Sequence, residues 1–102
     1  MLGALKNLFG SKVDMEQIIN SGAQIIDVRT PGEFAGGHVK GSVNIPLNEL
    51  PRKLSSIKKD KPVITCCASG MRSASAASIL KSNGYTEVYN GGSWLSLNRY
   101  AK

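Results

Sequence analysis

Short apolar runs alternate with segments of helical periodicity along this chain, and this alternation constrains the fold more than any other feature. Continuous apolar runs typical of buried strands cover residues 24–28 and 62–66, and shorter runs cover 43–45 and 86–89. Helical patterns lie between them, at residues 15–21, 30–34, 48–57 and 73–83. Strands that alternate with helices predict an α/β fold with a mostly parallel sheet and helices on both faces.

Three element boundaries depend on single residues. Asp14 is a suitable N-cap for the first helix, with Gln17 three residues later as its capping-box partner. Pro51 is compatible with a helix over 48–57 because it falls in the first turn, where its missing N–H costs little. Gly91 and Gly92 predict a turn between the last strand and a final short segment that contains Trp94.

The length of 102 residues and the apolar fraction of 41% predict one domain, over residues 13–102, preceded by an arm or short helix over 1–12. Membrane contact by residues 1–10 is not expected, because Lys6 interrupts their apolar run. The net charge of +6 comes from scattered lysines with few aromatic residues, which argues against nucleic-acid binding and favours small anions. A monomer is expected.

The two cysteines, Cys66 and Cys67, are neighbours in the sequence. Adjacent residues of a strand point to opposite faces, so these cysteines are not expected to form a structural disulfide. Free cysteines are typical of a reducing compartment, and the chain is therefore predicted to be cytoplasmic.

The segment from Cys67 to Ser73 carries the strongest chemical signal. A strand delivers Cys67 to the sheet edge, and a helix is predicted to start at about Ser73. A loop that curls between them directs backbone amides at the sulfur, and Gly70 permits the conformation that such a curl requires. A thiol there ionises readily, and Arg72 adds a fixed cation. The pattern predicts a nucleophilic thiolate inside an anion cradle.

The loop Cys67-Ala68-Ser69-Gly70-Met71-Arg72-Ser73 resembles the active-site loop of the rhodanese-like sulfurtransferases, Cys-x-x-Gly-x-Arg-Ser. Other segments resemble that family in the same order: Asp27-Val28-Arg29, Glu33-Phe34, Gly37-His38, Asn44-Ile45-Pro46, and Gly91-Gly92 before Trp94. The family often has an aromatic residue where Cys66 stands, and the spacing from Gly92 to Trp94 is short for it.

The resemblance implies a three-layer fold around a five-stranded, mostly parallel sheet. It also implies a single-domain thiosulfate sulfurtransferase, which moves sulfane sulfur through a Cys67 persulfide without a metal or an organic cofactor. Substrate anions would bind at Ala68, Ser69, Gly70, Met71, Arg72 and Ser73. The implied partners are a small anionic donor such as thiosulfate, and a thiol, cyanide or protein acceptor.

Four other polar residues have weaker assignments. Asp27, Arg29, Glu33 and His38 belong either to the edge of the site or to structural contacts, and structural use is favoured for each. A lone histidine in a turn is more often a hydrogen-bonded structural group than a base, and the thiolate mechanism does not require one.

Other functions remain open. Counted from Cys66, Arg72 completes the Cys-x5-Arg spacing of protein phosphatases and some arsenate reductases. Gly70 lies three residues after Cys67, as both loop types prefer, and Thr65 stands where the phosphatase motif has histidine, so Cys67 is favoured. A non-enzymatic sulfur carrier, a regulatory protein-binding module, and redox chemistry between the two cysteines are further alternatives.

Overall fold

A computed structural model describes residues 11–101, with side chains from Met15 onward. Its helices are α1 (Ser11–Asn20), α2 (Pro31–Ala35), α3 (Met71–Ser82) and α4 (Trp94–Asn98), with 3₁₀ helices at Leu47–Arg52 and Leu54–Ser56. Its strands are β1 (Gln24–Asp27), β2 (Val43–Asn44), β3 (Val63–Cys67) and β4 (Val88–Ser93). No helix in this part of the chain is long and apolar enough to cross a membrane.

The four strands form one parallel sheet in the order β2-β1-β3-β4. The predicted α/β class and parallel sheet are confirmed. The count of five strands was wrong for the described residues, which form four. That count came from the family resemblance, whereas the apolar runs themselves predicted four strands, each overlapping one of those observed.

Alternating side chains of β1 and β3 build a core on each face of the sheet. On one face, Ile26, Val63 and Cys67 join a cluster with Leu80 of α3. On the other face, Ile25, Ile64 and Cys66 join a cluster with Leu97 of α4, and with partly buried side chains of α1. Both faces are therefore covered, as the three-layer prediction requires.

The helix predicted over 48–57 is replaced by two 3₁₀ helices that meet at Lys53. Pro51 lies inside the first of them, where it cannot donate the hydrogen bond that a continuous α-helix needs. The apolar pattern is nevertheless buried as expected, because Leu50 and Ile57 belong to the core and Leu47 and Leu54 pack against it. The pattern predicted the buried face correctly and the hydrogen bonding wrongly.

The last strand lies two residues later than predicted, and Gly91 and Gly92 belong to it instead of forming a turn. A Cβ on Gly91 would lie 2.8 Å from both Ile64 Cγ2 and the Thr65 carbonyl oxygen. This glycine therefore serves the close approach of two strands. The first helix also differs, since it begins at Ser11, so that Asp14 lies inside it.

Candidate active site

Cys67 is the last residue of β3, at the carboxyl end of the parallel sheet. Ligands of open α/β sheets bind at this edge. The residue is buried, with 1% of its surface exposed. A bulge between Thr65 and Cys67 shifts the pairing with β4, so that Cys67 lies opposite Ser93. The strand therefore ends with its sulfur beneath the loop that follows.

Three groups surround the Cys67 sulfur. The backbone amide of Gly70 donates to Sγ at 2.9 Å, and the amide of Ser73 donates at 3.3 Å. The Ser73 hydroxyl oxygen lies 3.4 Å from Sγ. Burial raises the pKa of Cys67, but hydrogen bonds from the Ser73 hydroxyl and from the amides of Ser73, Gly70 and Ser69 outweigh it and lower the pKa overall. The loop thus favours the thiolate, which is the nucleophilic form.

Helix α3 begins at Met71, two residues earlier than predicted, and this places Ser73 inside its first turn. The N-cap is Gly70, whose φ of 106° lies in the left-handed region that favours glycine. Ser73 is completely buried, and its side chain is directed at Gly70 and Cys67. The Ser73 hydroxyl therefore belongs to the surroundings of the sulfur.

Arg72 forms a two-pronged ion pair with Glu33 of α2. Its Nη1 donates to Oε1 at 2.8 Å and its Nη2 donates to Oε2 at 3.0 Å. Each side chain keeps 36% of its surface exposed. The Arg72 hydrogen bonds are the main reason why the pKa of Glu33 is lowered to about 2, and a capping bond from the Thr30 backbone contributes. The pair joins the active-site loop to α2, thirty-nine residues away in sequence.

Asp27 and Arg29 form a buried ion pair behind the site, with exposures of 0% and 4%. The guanidinium donates to both carboxylate oxygens, at 2.7 to 3.0 Å, and to the Gly37 carbonyl oxygen at 2.7 Å. It also lies over the ring of Trp94, 4.8 Å from the ring centroid. These contacts tie the end of β1 to the segment after α2 and to α4.

The remaining predicted residues lie around this framework. Ala68, Ser69 and Met71 are exposed on the loop. His38 stacks on Phe34 with ring centroids 3.7 Å apart, and its Nδ1 lies 2.8 Å from the Phe34 carbonyl oxygen. The histidine is thus held by α2.

Cys66 lies on the opposite face of the sheet from Cys67, fully buried in the cluster with Ile64 and Leu97. Burial, followed by the charge of Asp27, raises the pKa of Cys66 to about 12. Both cysteines are free. The two neighbouring thiols therefore have opposite environments, one stabilised as a thiolate and the other held neutral.

Asn90 of β4 is a site residue that sequence reasoning missed. Its Oδ1 lies 2.5 Å from the Ser73 hydroxyl and accepts from the Gly92 amide at 3.0 Å. Its Nδ2 donates to the Gly70 carbonyl oxygen at 3.2 Å. The only sequence signal was an amide side chain directly before the Gly91-Gly92 pair that the family resemblance already included.

A pocket of about 320 Å³ lies beside the last strand, among residues such as Met15, Asn90, Leu97 and Tyr100, and Cys67 does not line it. Within the described residues, no group of three or more His, Cys, Asp or Glu side chains is arranged to hold a metal ion. The chemistry that the site itself supports is that of a thiolate in a ring of hydrogen-bond donors.

The chain is a three-layer α/β domain in which a cysteine-containing loop joins a parallel strand to a helix. Residues 11–94 match the model of the rhodanese-like domain, and the chain belongs to that family. It is 52% identical over 68 residues to the uncharacterised protein YqhL of Bacillus subtilis, covering 67% of this chain and 54% of that protein. It is 41% identical over 71 residues to the thiosulfate sulfurtransferase GlpE of Stutzerimonas stutzeri, covering 70% of this chain and 65% of that protein.

A rhodanese from E. coli, solved with anions, has a similar structure, with a TM-score of 0.69 and 35% identity. The match covers 74% of this chain and 91% of that one. The alignments to the two curated relatives span less than two thirds of their own lengths. The family resemblance drawn from the ordered motifs is thereby confirmed, together with the fold.

Proposed function

We propose that this chain is a sulfurtransferase, which accepts sulfane sulfur on Cys67 from a small anionic donor and passes it to a thiophilic acceptor. The observation that carries the proposal is the pair of backbone amides, of Gly70 and Ser73, that donate to Sγ, with the Ser73 hydroxyl oxygen 3.4 Å away. These donors favour a thiolate at a buried position, where an uncompensated charge is costly. The name of the Stutzerimonas relative supports thiosulfate as the donor.

The reaction proceeds in two displacement steps. The Cys67 thiolate attacks the outer sulfur of thiosulfate, a bond forms between the two sulfur atoms, and sulfite leaves with the electron pair of the broken S–S bond. The product is a Cys67 persulfide, whose charge lies on its outer sulfur. A nucleophilic acceptor, such as a thiol, cyanide or a protein thiolate, then attacks that sulfur, and the Cys67 thiolate is restored.

The charges near the site favour an anionic donor. The chain has a net charge of +6, and Arg72 lies in the loop with part of its guanidinium exposed. Glu33 accepts hydrogen bonds from both Nη1 and Nη2 of Arg72, so this side chain orders the loop. It offers the anionic sulfur donor only its remaining N–H groups. We propose that the backbone amides of 68–73 provide the main anion contacts, with Arg72 as support.

Burial of the sulfur favours donors with a projecting terminal sulfur. Only 1% of Cys67 is exposed, so a donor reaches it with a single atom rather than with a bulky group. Thiosulfate and small persulfides meet this condition. A free thiolate also requires reducing surroundings, and both cysteines are free, so we propose the cytoplasm as the compartment.

Intact-mass spectrometry after thiosulfate treatment tests the assignment. The expected result is one added sulfur on the wild type, removable by a thiol and absent from Cys67→Ala. Cys66→Ser is the matched control and is expected to load normally, since Cys66 lies on the other face of the sheet. Loading of Cys67→Ala, or phosphate-ester hydrolysis without sulfur uptake, would contradict the proposal.

Turnover separates the enzyme from a stoichiometric sulfur carrier. With thiosulfate and an excess of cyanide or small thiol, an enzyme releases many equivalents of sulfite per chain. Release that stops at one equivalent, with the persulfide intact, would instead support the carrier function.

A further inference from the structure

We infer that Asn90 is a positioning residue for Cys67, which competes with the Cys67 sulfur for the single hydroxyl hydrogen of Ser73. The inference deepens the proposed function and rests on it only in taking Cys67 as the nucleophile. It starts from a geometric conflict at Ser73.

The Ser73 hydroxyl has one hydrogen and several acceptors within reach. Asn90 Oδ1 lies 2.5 Å from Oγ, the Gly70 carbonyl oxygen lies at 3.1 Å, and Cys67 Sγ lies at 3.4 Å. The orientation of the Asn90 amide is fixed at both ends, since its oxygen accepts from the Gly92 amide and its nitrogen donates to Gly70. Oδ1 is therefore an acceptor, and at 2.5 Å it is the nearest of the three to the Ser73 hydroxyl.

This arrangement suits the neutral thiol. The Cys67 S–H donates to Ser73 Oγ, and the Ser73 O–H donates to Asn90 Oδ1, which makes a continuous chain of hydrogen bonds. When the thiol loses its proton to solvent, the sulfur becomes an acceptor, and the hydroxyl turns to donate to it. Asn90 Oδ1 then keeps only the bond from the Gly92 amide.

The hydroxyl hydrogen therefore follows the charge on Sγ. It lies toward Asn90 when the sulfur is a neutral thiol, and toward Cys67 when the sulfur is a thiolate. In the persulfide the charge lies on the outer sulfur, so the hydroxyl returns to Asn90. The amide of Asn90 limits how strongly Ser73 stabilises the thiolate. Once sulfur has been loaded, the Asn90 amide oxygen again accepts the hydrogen bond from the Ser73 hydroxyl.

The charged groups on the neighbouring elements are engaged in ion pairs, so the competition for the Ser73 hydrogen is between Asn90 and Cys67. Arg72 of α3 is paired with Glu33 of α2, and Arg29 is paired with Asp27 of β1. On β3 itself, Cys66 stays neutral because burial raises its pKa to about 12. The part of β4 beside the sulfur contributes the uncharged Asn90 and Ser93.

Substitutions at position 90 have opposite expected effects. Asn90→Leu removes the nearer competing acceptor and leaves only the Gly70 carbonyl oxygen at 3.1 Å, so the hydroxyl donates more readily to the sulfur. Alkylation of Cys67 by iodoacetamide at pH 6 is expected to accelerate by about threefold to tenfold. Asn90→Asp makes the acceptor stronger and adds negative charge, so alkylation is expected to slow. Asn83→Leu is the matched control, because Asn83 is an exposed asparagine whose side chain bonds only to the Ile79 carbonyl oxygen.

The test follows alkylation by peptide mass spectrometry over pH 5–9, for each variant alone and combined with Ser73→Ala. The inference expects the Asn90→Leu effect to vanish in the Ser73→Ala background, since Asn90 acts through that hydroxyl. Equal acceleration with and without the hydroxyl, no acceleration, or slower alkylation of Asn90→Leu would overturn it, the last by showing that Asn90 only supports the loop. Because no sulfur donor is used, these results are independent of whether the chain transfers sulfur. Urea unfolding of each variant identifies any loss of rate that comes from loss of the fold.

Discussion

A methyl group added at Gly91 provides a direct test of how closely β3 and β4 approach each other. In Gly91→Ala the new Cβ lies 2.8 Å from Ile64 Cγ2 and from the Thr65 carbonyl oxygen, and 3.1 Å from Leu97 Cδ2. Favourable carbon contacts lie at about 3.5–4.0 Å, so each neighbour must move by several tenths of an ångström. Ile64 and Leu97 have no room to yield, because they are 0% and 1% exposed, and the third neighbour is backbone.

Overpacking of this kind costs about 1–3 kcal/mol. For a domain of this size, that free energy corresponds to a fall of about 5–20 °C in melting temperature. The expected loss lies at the upper end, since one contact is with a carbonyl oxygen of the central strand. The substitution also moves Asn90 and Gly92, so looser contacts around Ser73 are expected with it.

Gly32→Ala is the matched control. A Cβ on Gly32 meets nothing within 4 Å, and the residue lies in α2, where alanine is a better helix former. Its stability is expected to stay the same or to rise by up to about 1 kcal/mol. Urea unfolding of the two variants and the wild type, with midpoint and slope compared, measures the difference. Neutral surface substitutions change the free energy of unfolding by up to about 0.5 kcal/mol. If the free energies of unfolding of Gly91→Ala and Gly32→Ala differ by less than about this amount, the close approach of the strands is refuted.

Three further measurements test the contacts that surround the site. The pKa of Glu33 is lowered to about 2 from 4.5, so its pair with Arg72 contributes stability in full above pH 4.5 and loses it as the pH falls through about 2. Urea unfolding over pH 2–5 is expected to show a steeper loss for the wild type than for Glu33→Gln, and parallel curves would contradict the pairing. Arg29→Leu leaves the Asp27 carboxylate buried without its partner, and the free energy of unfolding is expected to fall by about 3–5 kcal/mol. A fall of less than about 1 kcal/mol in denaturant unfolding would contradict this. Tyr85→Phe removes a hydroxyl that lies 2.7 Å from each of two carbonyl oxygens in the segment 54–57. The free energy of unfolding is expected to fall by about 1–3 kcal/mol in the same assay. An unchanged midpoint would show that water replaces the hydroxyl at these carbonyl oxygens.

Much of the fold is readable from the sequence because its signals are local. The apolar runs at 24–28 and 62–66 predicted β1 and β3 to within a residue, since a buried strand needs side chains that suit both faces. The helix predicted from Thr30 or Pro31 is also confirmed, with Thr30 as its N-cap and Glu33 completing the capping box. Capping and strand burial depend on neighbours a few residues away, and such neighbours are visible in any sequence.

The errors have two causes, one in contacts between distant segments and one in a local hydrogen bond. The sequence predicted a turn at Gly91 and Gly92, because nothing in the local pattern shows that β4 packs closely against Ile64. The sequence predicted an α-helix that contains Pro51. The segment instead folds as 3₁₀ helices, which still pack its leucines into or against the core. The constraint on Gly91 comes from a neighbouring strand, whereas Pro51 lacks the N–H that a continuous α-helix needs.

The sequence by itself predicted the loop and its candidate nucleophile, because Cys67, Gly70 and Arg72 lie within six residues and their spacing restricts what the loop can do. It also determined that the two cysteines face apart, since side chains alternate along a strand. Only the tertiary structure decided what each side chain touches. Glu33 pairs with Arg72, and Asn90 reaches the hydroxyl of Ser73, across 39 and 17 positions of sequence. Such contacts depend on strand order and register, which arise when the whole chain packs and which local patterns do not encode.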